Sequence, residues 1–321
     1  MRKLLLSSTA LASAAVLTAN IAVADVSISA ATEWSYTSMS STVTANDGTS
    51  FGTDSEIVFN FTNKTDSGLT IGYNVELQSD EANSVIDEAK LSISGGFGKI
   101  VLGGEDSVLD NYGFEAEDAV TEQSSTTHAG NTIDKGNGSP QTSGNGNKIA
   151  YHLPAMGGLT VGASYYDSGN VAGTDETAIG FSYTLDAAGN TVTISGAQAT
   201  NENSTQDIDT QNLGVKITSG NLNFIVSNMT YQAYDEDRSS TGAGANYTLA
   251  NGMVIGAYTF KSEDDSDVGE EYSKSGVELM YTIAPGLKAI INVDDFEYKI
   301  GTETATADSG TISKLTIQAA F

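Results

Sequence analysis

The chain contains no cysteine, only three prolines and few basic residues, and each shortage excludes a class of protein or site. Without cysteine there is neither a disulfide framework nor a thiolate metal site. Acidic residues number 41 against 14 lysines and arginines, and the formal net charge is -27. This excess of negative charge repels phosphate groups and argues against nucleic acid as a partner. The scarcity of proline together with 34 glycines disfavours helix and leaves room for sheet and turns.

Long hydrophobic runs are also missing, except near the amino terminus. Arg2 and Lys3 precede an apolar stretch over residues 4–19, and residues 22–24 read Ala-Val-Ala, a small-x-small cleavage pattern. The pattern predicts a cleaved secretory signal peptide over residues 1–24. A membrane-anchoring helix is the alternative, but serines and threonines interrupt the stretch and no stop-transfer charges follow it. Beyond this segment, no stretch approaches the roughly 18 consecutive apolar residues that a spanning helix needs.

The sequence does contain a period of two. Over residues 69–78, leucine, isoleucine, tyrosine and valine alternate with threonine, glycine, asparagine and glutamate. About ten residues of such alternation is the length that a tilted strand needs to cross hydrocarbon. The same alternation returns over residues 57–61, 159–165, 213–217, 277–283, 287–293 and 315–321. The chain is therefore predicted to be all-β, with alternate residues facing lipid and water.

Connections between these runs alternate between tight and long. Tight reversals with glycine, asparagine or proline are predicted at residues 66–68, 95–98, 154–158, 219–221, 250–252 and 285–286. Long, polar and acidic connections are predicted at residues 40–53, 107–146, 201–209, 235–240, 264–271 and 301–309. Outer-membrane barrels have this arrangement, with short turns at one end and long loops at the other.

Counting the segments between these connections gives about 16 strands. The predicted fold is a closed antiparallel transmembrane β-barrel, formed by a single domain over residues 25–321. An even number of strands allows the first, near Val26, to pair with the last, near Leu315. Closure removes the unpaired edge, whose amide groups lipid cannot hydrogen-bond. A barrel of about 16 strands is also wide enough to hold water.

Aromatic residues support a position in a membrane, because several fall near predicted strand ends as in the girdles of membrane barrels. They are Tyr73, Tyr165, Tyr166, Tyr183, Tyr247 and Tyr281. The last residue of the last alternating strand is Phe321, which resembles the insertion signal of bacterial outer-membrane barrels. That resemblance implies assembly by the barrel-assembly machinery into the Gram-negative outer membrane, where lipid and lipopolysaccharide surround the barrel.

Four stretches resemble the trimeric general diffusion porins of alphaproteobacteria: residues 62–69, 91–100, 148–151 and 157–165. The resemblance covers essentially the whole mature chain. It implies a homotrimer, a barrel of sixteen strands in each subunit, and passive transport of ions and small polar solutes. In such porins a Phe-Gly-Lys turn, here at residues 97–99, precedes the fifth strand, and the third external loop then folds into the barrel. Here that constriction loop falls on residues 104–146.

The selectivity of such a pore depends on the charges in its constriction. Seven carboxylates in this loop are predicted to enrich cations: Glu105, Asp106, Asp110, Glu115, Glu117, Asp118 and Glu122. The arginine cluster that such porins carry on the facing wall is missing, because the one arginine of the mature chain, Arg238, lies in a predicted external loop. The candidates to replace it are lysines on the predicted lumen-facing phase: Lys90, Lys148, Lys216, Lys261, Lys288 and Lys314. The plain alternative is that all these charges are merely solvated.

Other functions find less support in the sequence. No cofactor is expected, although Asp264, Asp265, Asp267 and Glu270 could hold Ca²⁺ or Mg²⁺ loosely; their spacing matches no defined ion loop. An enzyme is not expected, because there are only two histidines and no nucleophile motif. A secreted or surface adhesin explains the composition and export equally well, but not the tight and long connections or the terminal Phe321. A substrate-specific outer-membrane channel would share the fold and differ only in its pore residues.

Overall fold

A computed structural model describes residues 25–43, 46–78, 86–122, 127–128, 131–132, 146–169, 175–202, 207–233, 236–264, 270–299 and 306–321. Most of them lie in antiparallel strands, as the period of two predicts. Among them no helix is both long enough and apolar enough to cross a membrane. The predicted signal peptide, residues 1–24, lies outside the described residues.

Sixteen strands form one closed antiparallel barrel. Its first strands are β1 (Asp25–Ser41), β2 (Gly48–Lys64), β3 (Thr70–Gln78), β4 (Ile86–Gly95) and β5 (Gly98–Gly104). Two short strands, β6 (Thr127–His128) and β7 (Asn131–Thr132), pair separately as a hairpin. The barrel continues with β8 (Asn147–His152), β9 (Leu159–Tyr166), β10 (Glu176–Ala187), β11 (Asn190–Asn201), β12 (Ile208–Ser219) and β13 (Leu222–Ala233). It ends with β14 (Glu236–Thr248), β15 (Val254–Asp264), β16 (Glu271–Ala284), β17 (Leu287–Lys299) and β18 (Thr306–Ala320). The predicted fold class is confirmed.

The barrel closes where β1 meets β18. Their register places Tyr36 opposite Leu315. The backbones of Phe321 and Ala30 exchange hydrogen bonds of 3.1 and 2.8 Å, which hold the last residue at the seam. Val26 pairs with β2 and not with β18, so the seam lies further along β1 than the sequence predicts.

Connections at the two ends of the barrel differ in length, as predicted. Residues 96–97, 220–221 and 285–286 make two-residue turns between consecutive strands. The structure has a further turn, at residues 188–189, that the sequence pattern does not predict. Both of its residues have positive φ, 52° at Ala188 and 85° at Gly189, as a primed hairpin turn requires.

Two of the long connections are shorter in the structure than the sequence predicts. Strand β13 ends at residue 233 and β14 begins at residue 236, so the connection predicted at residues 235–240 is mostly strand. Strands β1 and β2 likewise extend into residues 40–53. Polar residues occupy both faces of these segments, which made them resemble loops. Strands that project beyond lipid meet water on both faces and need no alternation.

The outer face of the barrel is apolar near the end where short turns connect the strands. Along β17, the exposed Ile291 and Val293 alternate with the buried Asn292 and Asp294, and the exposed Asp295 follows where the apolar band ends. Most of the predicted girdle tyrosines are exposed on this outer face: Tyr73, Tyr165, Tyr183, Tyr247 and Tyr281. Tyr166 is the exception, because it pairs in register with the buried Lys148 and Glu176 of the inner face.

The best-buried side chains lie inside the barrel, in two clusters. One cluster comprises Met39, Ala116, Val120, Tyr258, Phe260, Tyr272, Phe296 and Ile312. The other comprises Val108, Leu109, Tyr112, Ala178, Ala197 and Ala199. Each cluster joins barrel strands to a short helix after β5, either α1 (Val108–Tyr112) or a 3-10 helix (Ala116–Ala119). Burial of these apolar residues therefore draws the connection after β5 into the lumen.

Candidate functional site

The connection after β5 follows the inner wall of the barrel, as the resemblance implies for the constriction loop. Its first part, residues 105–122, is called the inward segment below. The segment begins with Glu105 beside Lys90 of β4 and ends with Glu122 beside Lys314 of β18. Between these points α1 packs against β9, β10 and β11, and the 3-10 helix packs against β13, β14 and β15. The inward segment thus runs around most of the circumference.

Side chains of β8 and β9 fix α1. The Ser107 hydroxyl caps the helix by accepting a hydrogen bond of 3.3 Å from the backbone N–H two residues later. The N–H of Val108 donates to Ser164 Oγ on β9 at 3.2 Å. At the end of the helix, the Tyr112 hydroxyl lies 3.0 Å from Nδ1 of His152 on β8, and the two rings stack. These contacts anchor both ends of α1 to the wall.

The 3-10 helix is held in the same way. A reciprocal cap closes its start, with the N–H of Glu115 donating to Asp118 Oδ2 at 2.8 Å. Asn212 of β12 accepts a hydrogen bond of 3.1 Å from the backbone N–H just before Glu115. Asn246 of β14 donates to the carbonyl of Ala119 at 3.0 Å. Backbone groups that a short helix leaves without intrahelical partners are thus satisfied by the barrel wall.

Glycines on successive strands let the inward segment approach the wall. A Cβ added to Gly180 of β10 would lie 2.8 Å from Tyr112 Cβ, and one added to Gly256 of β15 would lie 2.8 Å from the carbonyl oxygen of Ala119. At Gly244 of β14 an added Cβ would overlap the carbonyl oxygen of Ala116. A β-carbon at any of these positions would therefore push the segment toward the centre of the lumen.

The end of the inward segment is clamped by Glu278 of β16. Its carboxylate accepts hydrogen bonds from the N–H of Thr121 at 2.9 Å and from the N–H of Glu122 at 2.7 Å. The amide of Asn292 on β17 donates to the carbonyl of Glu122 at 3.3 Å. Glu278 and Asn292 thus satisfy backbone groups at this end of the segment and hold it against β16 and β17.

Three of the seven predicted loop carboxylates are buried in ion pairs with lysines of the wall. The pairs are Glu105 with Lys90 at 2.7 Å, Glu117 with Lys274 at 3.3 Å, and Glu122 with Lys314 at 2.6 Å. The ammonium group of Lys148 donates to the backbone carbonyl of Glu105. Lys90, Lys148 and Lys314 therefore meet the loop, and the three carboxylates fasten it.

Glu122 lies outside the strands, and burial raises its pKa to about 7. The ammonium group of Lys314 opposes this rise, and the nearby carboxyl of Glu33 adds to it. A carboxyl group with a pKa near neutrality changes charge within the physiological range of pH. The charge at this end of the inward segment therefore depends on pH.

The other four predicted loop carboxylates are more accessible. Asp110 is exposed, while Asp106, Glu115 and Asp118 are half-buried. Glu115 and Asp118 form the helix cap described above. Their role in selectivity stays a prediction. The rest of the predicted loop, at residues 123–126, 129–130 and 133–145, lies outside the described residues.

Two further predicted lysines face the lumen. Lys216 of β12 is directly opposite the buried Ile225 of β13. Lys288 of β17 is directly opposite the buried Gln318 of β18. Both lysines are half-buried, and neither belongs to the group that fastens the inward segment.

The lumen position predicted for Lys261 is wrong. Lys261 lies between the buried Phe260 and Ser262 on β15 and points away from the lumen, with 49% of its side chain exposed. It pairs there with Glu263 and Glu271. The inner face of β15 is itself apolar because it packs under the 3-10 helix. Apolar residues therefore occupy both faces, and alternation does not identify the inner one.

The position predicted for Arg238 is also wrong. Arg238 is a buried residue of β14, and its Nη2 lies 3.4 Å from Asp264 and 3.2 Å from Glu270. Two of the four candidate calcium or magnesium ligands are thus ion-paired to arginine. The other two, Asp265 and Asp267, lie outside the described residues. Within the described ranges no group of three or more metal-ligating side chains could hold an ion, and loose binding of a divalent cation stays a prediction.

Sequence reasoning missed Lys274, Glu278 and the inner glycines. The sequence does contain a signal for Lys274 and Glu278. Val277 and Leu279 are apolar and face outward, so the even-numbered residues of the same strand must face inward. Glycines in strand interiors also signal close approach of another backbone. Alternation alone does not reveal which loop residue each of them meets.

Comparison with known proteins agrees with this architecture. The family model described as Gram-negative porin matches residues 8–301. The anion-selective porin from Comamonas acidovorans has 14% identity and a TM-score of 0.66, and the alignment covers 93% of this chain and 100% of that one. Outer-membrane OmpT of Vibrio cholerae has 12% identity and a TM-score of 0.69, with 96% and 100% covered. A mutant of the Rh. blastica porin has 16% identity and a TM-score of 0.65, with 92% and 100% covered.

At such identities the solved structures establish the fold alone. No curated protein sequence matches the chain significantly. The family model, in contrast, spans nearly the whole chain. The chain therefore belongs to the Gram-negative porin family, whose members are channel proteins of the outer membrane and not enzymes.

Proposed function

We propose that the chain is a diffusion pore for ions and small polar solutes that prefers cations and assembles as a homotrimer. The observation that carries the proposal is a closed barrel of sixteen strands with the inward segment fastened inside it. One of the related Vibrio cholerae structures is described as a trimer form, which supports self-association. Lipid, lipopolysaccharide and the barrel-assembly machinery are the other proposed partners.

Cation preference is supported by the charges on the lumen side. Carboxylates outnumber basic groups in the chain by 41 to 14. On the inner wall, Lys90 pairs with both Glu88 and Glu105, and Lys314 pairs with both Glu33 and Glu122, so each of these lysines meets two carboxylates. Low-dielectric walls focus the remaining negative field within the passage, which favours entry of cations.

Reversal potentials test the preference directly. The purified protein in a planar bilayer under a KCl gradient is expected to be about three to ten times more permeable to K⁺ than to Cl⁻. Preference for Cl⁻ at neutral pH would contradict the proposal. Migration as a heat-modifiable trimer in mild detergent tests the oligomer separately.

The preference is also expected to depend on pH through Glu122. Because the folded-state pKa of Glu122 is raised to about 7, the carboxyl loses its proton as pH rises through neutrality and adds a negative charge. The K⁺/Cl⁻ permeability ratio should therefore rise between about pH 6 and pH 8. A Glu122→Gln variant should show a flatter profile; an unchanged slope would mean that another group titrates.

The contribution of Glu122 to stability changes with pH in the opposite direction to the permeability ratio. A carboxyl whose folded-state pKa is raised above its ordinary value favours the folded state in its protonated form. The contribution of Glu122 to stability is therefore complete below about pH 4.5 and is lost as pH rises through about 7. Loss of this contribution should make the end of the inward segment easier to detach under alkaline conditions.

A further inference from the structure

A polar groove lies on the outer face of the barrel, across the seam where β18 meets β1. It has a volume of about 500 Å³ and spans β16, β17, β18 and β1. Two rows of directly opposed residues line it: Ser275, Asp295, Thr311 and Ser40 in the first row, and Ser273, Glu297 and Ser309 in the second. The groove lined by these residues is called the seam groove below.

The side chains of the seam groove point away from the lumen. Val293 of β17 is exposed on the outer face, and Asp295 and Glu297 continue the same alternation along the strand. Lys274 and Phe296 also line the groove, but their side chains are buried inside the barrel, so they contribute backbone atoms to it. The groove is therefore open to the surroundings of the barrel and not to the passage.

The seam groove begins where the apolar band ends. Val277 of β16 and Val293 of β17 are directly opposite each other, and both are exposed. The next outward residues toward the end with long connections are Ser275 and Asp295 of the groove. Long connections lie on the external side of outer-membrane barrels. The groove therefore lies at the height of the headgroups of the outer leaflet.

Each row of the seam groove places a carboxylate between two hydroxyl groups. Asp295 lies between Ser275 and Thr311, and Glu297 lies in the same way between two serines. A carboxylate only accepts hydrogen bonds, whereas a serine or threonine hydroxyl both donates and accepts. A sugar ring presents adjacent hydroxyl groups, which can donate to such a carboxylate and exchange hydrogen bonds with the hydroxyls beside it. Hydrogen bonds to an ionised acceptor are stronger than those between neutral groups.

The carboxylate of Asp295 has room for a ligand. Its Oδ2 accepts a hydrogen bond of 3.3 Å from the Thr311 hydroxyl. The hydroxyl of Ser275 lies 2.8 Å from that of Thr259, which orients it beside the carboxylate. Because Asp295 is exposed and a carboxylate offers about four acceptor positions, ligand hydroxyls can reach the remaining ones.

Two ammonium groups border the seam groove. Lys261 is directly opposite Ser273, and Lys299 pairs with Glu297 at 2.9 Å. Both lysines also pair with Glu271, at 2.8 and 3.1 Å. Lysine ammonium groups bind phosphate as well as carboxylate. The border therefore suits a ligand that carries phosphate next to its sugar hydroxyls.

We propose that the seam groove binds the sugar headgroup of lipopolysaccharide, the glycolipid of the outer leaflet. Asp295 and the hydroxyls beside it contact sugar hydroxyl groups, and Lys261 and Lys299 contact phosphate. The inference rests on the proposed function only in that lipopolysaccharide is one of the proposed partners, to which it assigns a site. Because the groove lies outside the barrel, the permeability of the pore should not depend on it.

The test measures binding of purified rough lipopolysaccharide, which consists of lipid A and the inner-core sugars, to the full-length protein immobilised in detergent. The groove variant is Ser273→Ala, Asp295→Asn and Ser309→Ala. Phosphatidylglycerol in the same detergent is the control lipid, because it has a phosphate group but no sugar ring. Heat-modifiable migration checks that the variant has folded.

The matched control variant is Asp209→Asn, Thr230→Ala and Ser239→Ala. It removes the same groups, one carboxylate and two hydroxyls, from β12, β13 and β14. These residues share the outward phase of the exposed Leu213 and Val226 and lie beyond them toward the external end.

The groove variant is expected to raise the apparent Kd for rough lipopolysaccharide about tenfold or more, because it removes a charged hydrogen-bond acceptor and two hydroxyls. The matched control should stay within about twofold of the unmodified protein. The Kd for phosphatidylglycerol and the K⁺/Cl⁻ permeability ratio should be the same in all three proteins.

The inference and the proposed function fail in different ways. An equal Kd for rough lipopolysaccharide in the groove variant and the matched control would overturn this inference alone. A groove variant that keeps its affinity but migrates as a monomer would also overturn it, because the groove would then be a contact between subunits. Unmodified protein that binds rough lipopolysaccharide no better than phosphatidylglycerol would contradict both the site and the proposed partner. Anion preference of the unmodified channel would contradict the proposed pore and leave the groove unaffected.

Discussion

A Lys274→Met variant is expected to lose about 3–5 kcal/mol of the free energy that docks the inward segment, because the buried Glu117 loses its ion pair with Lys274. The side chains of Lys274 and Glu117 are 2% and 6% exposed, and the charged atoms are 3.3 Å apart. Lys274 also lies over the ring of Tyr258, 5.8 Å from its centroid. The loosened segment should increase open-channel current noise and lower the temperature at which the folded band unfolds in semi-native gels.

A double variant separates the lost pair from the lost side chain. Adding Glu117→Gln to Lys274→Met removes the buried negative charge, and most of the docking free energy should return. Lys261→Met is the matched control, because Lys261 also pairs with two glutamates but is about half exposed on the outer face. Exposed pairs contribute about 0–1 kcal/mol, so this control should behave like the unmodified protein. Equal noise in Lys274→Met and Lys261→Met channels would show that the buried pair does not hold the segment.

Much of the fold follows from local sequence, because the period of two reports directly which face of a strand meets lipid. In residues 277–283 and 287–293, apolar side chains occupy alternate positions with few exceptions. These apolar side chains lie on the outer face of the barrel. Turns with glycine at positive φ, such as Gly220 and Gly286, were predictable because few other residues adopt that backbone conformation.

The errors arise where two faces have the same polarity. On β15 the buried Tyr258 and Phe260 make the inner face as apolar as the outer one, so the pattern wrongly predicts that Lys261 faces the lumen. Around Arg238 both faces are polar because the strand projects beyond the apolar band, and such a pattern predicts a loop. Alternation carries information only where lipid and water lie on opposite sides of the strand.

The fastening of the inward segment was less predictable, because it depends on contacts between residues far apart in the chain. Glu117 and Lys274 are separated by 157 positions, and so are Thr121 and Glu278. The sequence shows each of these charged residues. The partner of each one, however, depends on the path that the inward segment takes through the lumen. The sequence therefore does not distinguish the three ion-paired carboxylates of the loop from the other four.

The glycines under the inward segment lead to a prediction about pore size. Replacing Gly244 by leucine should lower single-channel conductance by about half, since conductance follows the open cross-section of the constriction. An added Cβ would overlap the carbonyl oxygen of Ala116 and lie 2.7 Å from Ala119 Cβ. The wall lies behind the 3-10 helix, so the helix can move only toward the centre of the lumen, which narrows the passage. Overpacking of this kind costs about 1–3 kcal/mol, which a closed barrel should survive.

Gly196→Leu is the matched control for this substitution. Gly196 lies on the outer face of β11, where an added Cβ would be 3.0 Å from the ring of Phe181 and 3.2 Å from a methyl group of Leu213. Both neighbours are exposed and can turn toward lipid, so conductance in this variant should stay unchanged. If the two leucine variants conduct alike, the glycines do not position the inward segment. A Gly244→Leu channel that folds and conducts more than the unmodified protein would mean that the segment detaches from the wall instead of moving across the passage.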